Sequence, residues 1–244
     1  MSDAAGAVLL IGTFDTKGEE YAFVRSAIIA RGVSVVTMDI GVLGGQPLFP
    51  VDVSAEAVAR AGGASLAQLQ SRKDRGQAVD AMLAGARAVT KELFAKQRFT
   101  GVLGLGGGGG TTMITAAMRE LPFGVPKVML STMASGNTTP YVDVKDITMM
   151  YSVVDIAGLN PISRRILTNA AAAICGMVAP TANRQPPTSS RPMIAATMFC
   201  SCSGAMHPAC FRPATIPRIA SSLDDAFRSG LMALATTNSV SFMH

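Results

Sequence analysis

The sequence predicts an α/β fold with a doubly wound, mostly parallel sheet and helices on both faces. Short apolar runs alternate with helical patterns along most of the chain, and short segments connect them. Five consecutive glycines, residues 106–110, also lie between an apolar run and a helical pattern. This arrangement is typical of Rossmann-like sheets, which bind ligands at the carboxyl edge of their strands.

The first predicted unit is a strand, a helix and a second strand. Residues 7–11 (AVLLI) are an apolar run of strand length, and residues 33–40 (VSVVTMDI) are rich in β-branched side chains. Residues 19–31 carry apolar side chains at helical spacing, and Gly32 ends that helix. Parallel strands need such a crossover connection, so we expect this unit to begin a parallel sheet. Residues 41–53, rich in Gly and Pro, predict a long loop.

The same alternation continues to about residue 180. The further predicted strands are 101–105, 125–130 and 147–154, the further helices are 54–61, 74–96, 111–121 and 161–177, and residues 131–140 form a polar loop.

Three segments with different compositions predict the domain organisation. Residues 1–180 form a Rossmann-like nucleotide-binding domain, and residues 181–192, rich in Pro, Ser and Thr, are a linker. Residues 193–244 start with a strand-like run and then lose periodicity, which predicts a truncated or aberrant start of a second α/β domain. The fold is therefore expected to end in an incomplete second half.

The composition restricts the function classes. The chain has 244 residues, of which 49% are hydrophobic and 15% charged, and this excludes disordered, collagen-like and coiled-coil proteins. Four irregularly spaced cysteines and the absence of a secretory signal predict a cytoplasmic protein. The longest uncharged helical stretch contains Asn169 and Pro180, so we expect no membrane association. The net charge of +5 comes from scattered residues, which predicts no nucleic-acid partner.

The glycine run predicts a phosphate-binding loop. Glycines let backbone N–H groups approach an anion closely, and the following helix adds the positive end of its dipole. Thr111 and Thr112 supply hydroxyl donors. No lysine follows the run as in a Walker A motif, and the next strand lacks the terminal acid that holds a dinucleotide ribose. A flexible connection is the simpler alternative. The predicted phosphate-binding residues are Gly107, Gly108, Gly109, Gly110, Thr111 and Thr112.

Polar residues follow the first two strands as well. Thr13, Asp15 and Lys17 leave the first strand together, so Lys17 is placed to neutralise phosphate and Asp15 to hold a metal or orient a hydroxyl. Alternatively, Asp15 or Thr16 caps the next helix. Asp39 ends the second strand, where a ribose-hydroxyl acceptor would lie, or it starts a turn before Gly41.

A third polar loop follows the fourth strand. Its small hydroxyl and amide groups suit a phosphate or ribose site, and all three loops are expected to meet at one sheet edge. Its candidate residues are Ser131, Thr132, Ser135, Gly136, Asn137 and Thr138.

Three segments together resemble a known family: GTFDTKGEE after the first strand, the glycine run, and STMASGNTTPYV. They are similar to the ATP-binding domain family that includes the tomato mosaic virus resistance protein and uncharacterised bacterial relatives. The resemblance covers about residues 6–199 and implies two Rossmann-like halves, ATP held mainly by the first half, and a homodimer where the second half is intact. It implies that the candidate residues of the three loops contact the nucleotide.

The resemblance stops at Phe199, where family members continue with a second half of nearly equal size. We therefore hypothesise that residues 200–244 arise from a frameshifted or truncated reading frame. The sequence as a whole predicts an ATP-binding protein with a binding or regulatory role. One alternative is an ATP-dependent enzyme, a phosphoryl transferase or ligase-like protein in which Asp15 places Mg²⁺. A weaker alternative is an NAD-dependent oxidoreductase.

Overall fold

The computed structural model describes residues 6–72 and 74–179. The predicted linker, residues 181–192, and the predicted second-domain segment, residues 193–244, lie outside the described residues. The strands are β1 Val8–Gly12, β2 Val35–Asp39, β3 Gly101–Gly106, β4 Lys127–Ser131 and β5 Thr148–Tyr151. The helices are α1 Gly18–Ile29, α2 Ala55–Ala61, α3 Leu66–Arg72, α4 Arg75–Ala95, α5 Gly108–Arg119, α6 Thr139–Val142 and α7 Pro161–Val178.

The five strands form one parallel sheet in the order β2-β1-β3-β4-β5, which confirms the predicted fold class. Successive side chains of β1 point to opposite faces. Leu9 and Ile11 pack in the layer that contains α2 to α5, whereas Val8 and Leu10 pack in the layer that contains α1 and α7. All five β1 residues are buried, as expected for a central strand covered on both faces.

Local signals explain where three of the seven helices in the described part of the chain begin. Ser54 accepts a hydrogen bond from Ala57 N at the start of α2, and Asp74 accepts bonds from Gly76 N and Gln77 N at the start of α4. Asn160 and Ser163 form a capping box at α7, where Pro161 is the first helical residue.

The structure differs from the sequence prediction at α3, in the loop after β4 and at β5. Helix α3 was not predicted, although Leu66 and Leu69 bury one helical face. The predicted polar loop at 131–140 contains a 3-10 helical turn, Thr132–Ser135, and the start of α6. Strand β5 is shorter than residues 147–154, because Val153 adopts a left-handed backbone conformation with φ 63°.

The long segment after β2 returns to the sheet. Val53 forms a parallel bridge with Met38, and the Asp52 carboxylate accepts hydrogen bonds from the amide and the hydroxyl of Thr37, both at 2.8 Å. These contacts hold both ends of the loop, residues 41–53, beside β2. None of the helices in the described part of the chain is long and apolar enough to cross a membrane.

Candidate functional site

A cavity of about 830 Å³ opens at the carboxyl ends of β1 and β3. The chain passes from β1 to β2 on one side and later enters β3 on the other, so the strand order reverses between β1 and β3. Ligands bind doubly wound sheets at such a switch point. The cavity is lined by Thr13, Asp15, Thr16, Lys17, Ile40, Val42, Leu43, Leu69, Gln70, Asp74, Ala78, Val79, Gly107, Gly108, Gly109, Gly110 and Met113.

The glycine run lines one end of this cavity as the first turn of α5. Gly107 is the N-cap residue and makes no side-chain cap, and Gly108 begins the helix. The first amide with an intrahelical partner is that of Thr111, which donates to Gly107 O at 2.8 Å. The amides of the preceding helical turn have no intrahelical acceptor, so they provide donors for an anion.

The expected helix start at Thr111 was therefore wrong by three residues, and most of the expected loop is helical. Glycine has low helix propensity, which is why the sequence favoured a loop. Tertiary context overrides that preference, since Ile114, Ala117 and Met118 bury α5 in the core. A helix start directly after β3 places its free amides closer to the sheet edge than a flexible loop would.

The hydroxyls of Thr111 and Thr112 face the backbone of α5 and do not line the cavity. Thr111 is fully buried, and its Oγ1 lies 2.7 Å from both Gly107 O and Ser131 Oγ. Thr112 Oγ1 donates to Gly108 O at 3.0 Å. Both hydroxyls donate to the preceding turn in this structure, so their part in phosphate binding stays a prediction.

The loop after β1 forms the facing wall. Thr16 Oγ1 donates to Thr13 Oγ1 at 2.8 Å, and the Lys17 ammonium donates to the carbonyl of Ile156. Lys17 is also the N-cap residue of α1 and makes no side-chain cap bond. Neither Asp15 nor Thr16 caps that helix, so the capping alternative for this loop does not hold.

Asp15 positions the segment that follows β2. Its Oδ2 accepts a hydrogen bond from Leu43 N at 2.7 Å, and its carboxylate packs directly against Gly41. A Cβ at Gly41 would lie 2.5 Å from that carboxylate, so a side chain there would displace Asp15. Asp15 Oδ1 is buried and has no hydrogen-bond partner among the described residues. Buried carboxylate oxygens are normally hydrogen-bonded, so this oxygen is able to accept a further contact.

Asp39 lies outside the cavity lining, and its carboxylate binds backbone. Its Oδ1 accepts hydrogen bonds from Phe14 N at 3.1 Å and from Gly41 N at 2.9 Å. Burial raises the pKa of Asp39 above its ordinary value, with a further contribution from Asp15, although the two amides oppose the shift. The sequence offered Asp39 as a ribose-hydroxyl acceptor or as the start of a turn, and its bond from Gly41 N matches the turn.

The third polar loop lies beside the start of α5 and does not line the cavity. Thr132 Oγ1 would lie 3.8 Å from a Cβ at Gly107. Ser131 is fully buried and accepts a hydrogen bond from Met133 N at 2.9 Å, and Asn137 Oδ1 accepts one from Thr139 N. Ser135 and Gly136 are exposed, and Thr138 is the N-cap of α6 without a side-chain cap bond. Two of the three loops therefore meet in one cavity.

The sequence did not predict the apolar wall of the cavity, which α3, α4, the segment after β2 and Met113 of α5 build. This wall is apolar, and α3 itself was not predicted. The spacing of Leu66 and Leu69 was its available signal, together with Asp74 as the cap that separates α3 from α4. The wall consists of Ile40, Val42, Leu43, Leu69, Ala78, Val79 and Met113, with the Gln70 amide at its edge.

The described residues contain no cluster of three or more His, Cys, Asp or Glu that would hold a metal without other ligands. The charged groups that line the cavity are Asp15, Lys17 and Asp74. The Asp74 carboxylate is engaged with the amides that begin α4. A metal would therefore need oxygen ligands from a bound molecule in addition to Asp15.

A family model described as the N-terminal domain of an uncharacterised protein family, UPF0261, matches residues 6–183. A UPF0261 protein of Clostridium tetani is 46% identical over 192 residues, which cover 79% of this chain and 47% of that protein. A UPF0261 protein of Rhizobium meliloti is 48% identical over 192 residues, covering 79% and 46%. The chain thus spans about half the length of the curated relatives it matches.

The similarity extends to plants over a shorter segment. A Solanum lycopersicum protein described as the ToMV resistance protein Tm-1 is 51% identical over 83 residues, which cover 34% of this chain and 11% of that protein. A solved putative hydrolase of the α/β superfamily from Xanthomonas campestris has a TM-score of 0.35 at 13% identity, and covers 70% of this chain and 98% of that one. A likeness this weak carries no argument.

Proposed function

This chain belongs to the uncharacterised protein family UPF0261, and we propose that it binds ATP at the β1–β3 switch point, in a binding or regulatory role. One observation carries the proposal: a single cavity joins the free amides of a glycine helix start, a lysine ammonium and an apolar wall. A nucleotide needs these three features together, because it combines an anionic end with a flat, largely apolar base.

The start of α5 supports the phosphate end of the ligand. A Cβ at Gly107 or Gly108 would have its nearest neighbours at 3.8 Å and 3.9 Å, so the glycines there are not required by packing. Their absent side chains leave the backbone amides open to a phosphate. The Lys17 ammonium has three N–H donors, of which one donates to Ile156 O and two remain for phosphate oxygens.

The charge balance of the cavity supports a cation in the complex. Asp15 and Asp74 contribute two negative charges against the single positive charge of Lys17, so a triphosphate would meet a net negative lining. Mg²⁺ would neutralise part of the phosphate charge, and the unpartnered Asp15 Oδ1 is the protein oxygen that fits it. We therefore propose Mg²⁺–ATP as the bound species.

Binding is favoured over turnover by the groups that line the cavity. Both histidines of the chain, His207 and His244, lie outside the described residues, and the Asp74 carboxylate caps α4. Asp15 is held by Leu43 N. Among the described lining residues, Asp15 is assigned to Mg²⁺ and Asp74 to the cap of α4, which leaves no further side chain as a general base, and a binding or regulatory role is therefore proposed. A homodimer, a cytoplasmic location and the absence of a nucleic-acid partner remain proposals for the whole protein.

Titration calorimetry on the full chain, with ATP in the presence of Mg²⁺, tests the proposal. We expect saturable ATP binding, weaker ADP binding and no NAD binding. Lys17→Met should weaken ATP binding about ten- to a hundredfold, the range for loss of a charge-assisted hydrogen bond. Gly108→Ala should also weaken it, since its Cβ fits the free protein but covers the phosphate-binding amides.

Two matched variants control for general effects. Lys96→Met removes a lysine paired with Glu92 on the surface of α4, and Gly176→Ala adds a methyl group at an exposed position of α7. Both should bind ATP as the unmodified protein does. ATP affinity that is unchanged in both Lys17→Met and Gly108→Ala would refute the site. NAD binding without ATP binding would favour the oxidoreductase alternative, and phosphate release over time would favour an enzyme.

A further inference from the structure

The cavity has a second, apolar end on the α3–α4 side, away from the glycine helix start. Its floor on the α3–α4 side is formed by Ile40, which is fully buried, and by Leu69 and Ala78, which are nearly so. Val42 and Val79 extend this apolar surface toward the mouth. An apolar floor of this kind accepts a flat ring, and the few polar groups at its edge decide which ring binds.

Gln70 supplies the polar group at that edge. Its Nε2 donates a hydrogen bond to Val42 O at 2.8 Å, and Nε2 would lie 3.2 Å from a Cβ at Gly44. A carbonyl acceptor can only be met by the NH₂ side of the amide, so this contact determines which way the amide faces. Among the described residues no donor is bonded to Gln70 Oε1, and that oxygen remains available as an acceptor at the cavity.

We propose that the α3–α4 wall receives the base of the nucleotide and that Gln70 is its specificity-determining residue. This inference rests on the proposed function. Gln70 Oε1 accepts a hydrogen bond from an exocyclic amino group of the base, so the site favours the 6-aminopurine of ATP over the corresponding 6-oxopurine. A base that carries an oxygen at this position would set two acceptors against each other and leave Oε1 unpaired.

Adenine and hypoxanthine differ in that one group, so ATP and inosine triphosphate are the matched probes. We expect the unmodified full chain to bind ATP about tenfold more tightly than inosine triphosphate, in line with discrimination by a paired against an unpaired polar group. In Gln70→Leu, which keeps the bulk of the side chain and removes the amide, the two affinities should fall within about twofold of each other.

Gln68→Leu is the control, because Gln68 lies on the same helix, is exposed and does not line the cavity. It should keep the full preference for ATP. Affinity for inorganic triphosphate, which has no base, should be the same in all three proteins. Denaturation curves of the variants should differ little, since Gln70 and its hydrogen bond to Val42 O are exposed.

The outcomes separate the two proposals. A protein that binds neither nucleoside triphosphate refutes ATP binding and the base site together. A protein that binds ATP but keeps the same ATP-to-inosine-triphosphate ratio in Gln70→Leu overturns the role of Gln70 and leaves the phosphate site intact. A preference lost equally in Gln68→Leu also overturns it.

Discussion

The hydroxyl of Tyr21 accepts a hydrogen bond from the amide of Leu105 at 2.9 Å, in the position of a missing strand-to-strand bond. The pairing of β1 with β3 ends at Ile11 and Gly104, and continuing the register would set Gly12 opposite Leu105. The Tyr21 oxygen also lies 2.8 Å from Ile11 O and 2.7 Å from Leu105 O. A helix side chain therefore separates β1 from β3 at the switch point where the cavity opens.

Gly12 permits this arrangement. A Cβ at Gly12 would lie 1.8 Å from the Tyr21 hydroxyl, so any other residue would displace the tyrosine. Burial raises the pKa of Tyr21 far above its ordinary value, so the hydroxyl stays protonated at neutral pH. Its single proton goes to one of the two carbonyls at a time.

Tyr21→Phe should destabilise the protein by about 1–3 kcal/mol, because it leaves the buried Leu105 N–H and the two strand carbonyls without their partner. Urea denaturation measures the change in the free energy of unfolding. Tyr151→Phe is the control, since Tyr151 is 42% exposed on the edge strand β5, and its loss should be within the error of the measurement. Equal stabilities of the two variants would contradict the role given to the Tyr21 hydroxyl.

Two helical glycines should respond to alanine with opposite signs. A Cβ at Gly85 in α4 would lie 1.9 Å from the carbonyl oxygen of Val58 in α2, so Gly85→Ala must push the helices apart and should cost about 1–3 kcal/mol. Gly176 in α7 is exposed and has no described atom within 4 Å of such a Cβ. Gly176→Ala should therefore stabilise the protein by about 0.5–1 kcal/mol through helix propensity.

Thermal or urea unfolding of both variants tests this pair. If both substitutions stabilise the protein, the close approach of α2 and α4 is wrong. If both destabilise it, Gly176 has a packing role that its exposure does not indicate.

The acid sensitivity of the protein should depend in part on Asp146. Lys127 is fully buried and donates to Pro122 O, to Val125 O and to Asp146 Oδ1, each within 2.8 Å. Partial burial opposes ionisation of Asp146, yet the bonds from Lys127 and Gly124 N outweigh it and lower its pKa below the ordinary value. A carboxyl group with a lowered folded-state pKa stabilises the protein above its unfolded pKa, and that stability is lost as the pH falls through the folded value.

We therefore expect Asp146→Asn to be less stable at pH 7 by about 1–2 kcal/mol. The Asp146 side chain is 40% exposed, so solvent reduces the cost below that of a fully buried pair. The difference from the unmodified protein should shrink as the pH falls below about 4, the ordinary pKa of the carboxyl group. Asp80→Asn, at an exposed position of α4, is the control. A stability difference for Asp146→Asn that stays constant down to pH 3 would contradict the assignment.

Most of the fold follows from local signals. The periodicity of α4 and α7 and the apolar run of β1 were visible in the sequence, and each element forms within a residue or so of where it was predicted. Helix α3 was missed because seven residues give too little periodicity to distinguish a helix from a loop. The start of α5 was misplaced because propensity alone argues against glycine in a helix.

The candidate site was also predicted in part: two of its three loops line the cavity, but the direction of some of its side chains was not predicted. Thr13, Asp15, Lys17 and the glycines 107–110 line the cavity, as expected from polar and glycine residues at neighbouring strand ends. The hydroxyls of Thr111 and Ser131 turned inward to each other, which depends on side-chain rotation after packing and leaves no mark in a sequence.

The sequence by itself determined most of the strands and helices, and therefore that polar loops meet at one edge of a parallel sheet. Hydrophobic periodicity and capping residues act over a few positions, so they can be read locally. Only the tertiary structure decided that Tyr21 separates β1 from β3 and that Gln70 and an apolar wall face the glycine helix start. It also decided that the Asp39 carboxylate accepts hydrogen bonds from backbone amides. These contacts join residues tens of positions apart, and they depend on how the helices pack against the sheet.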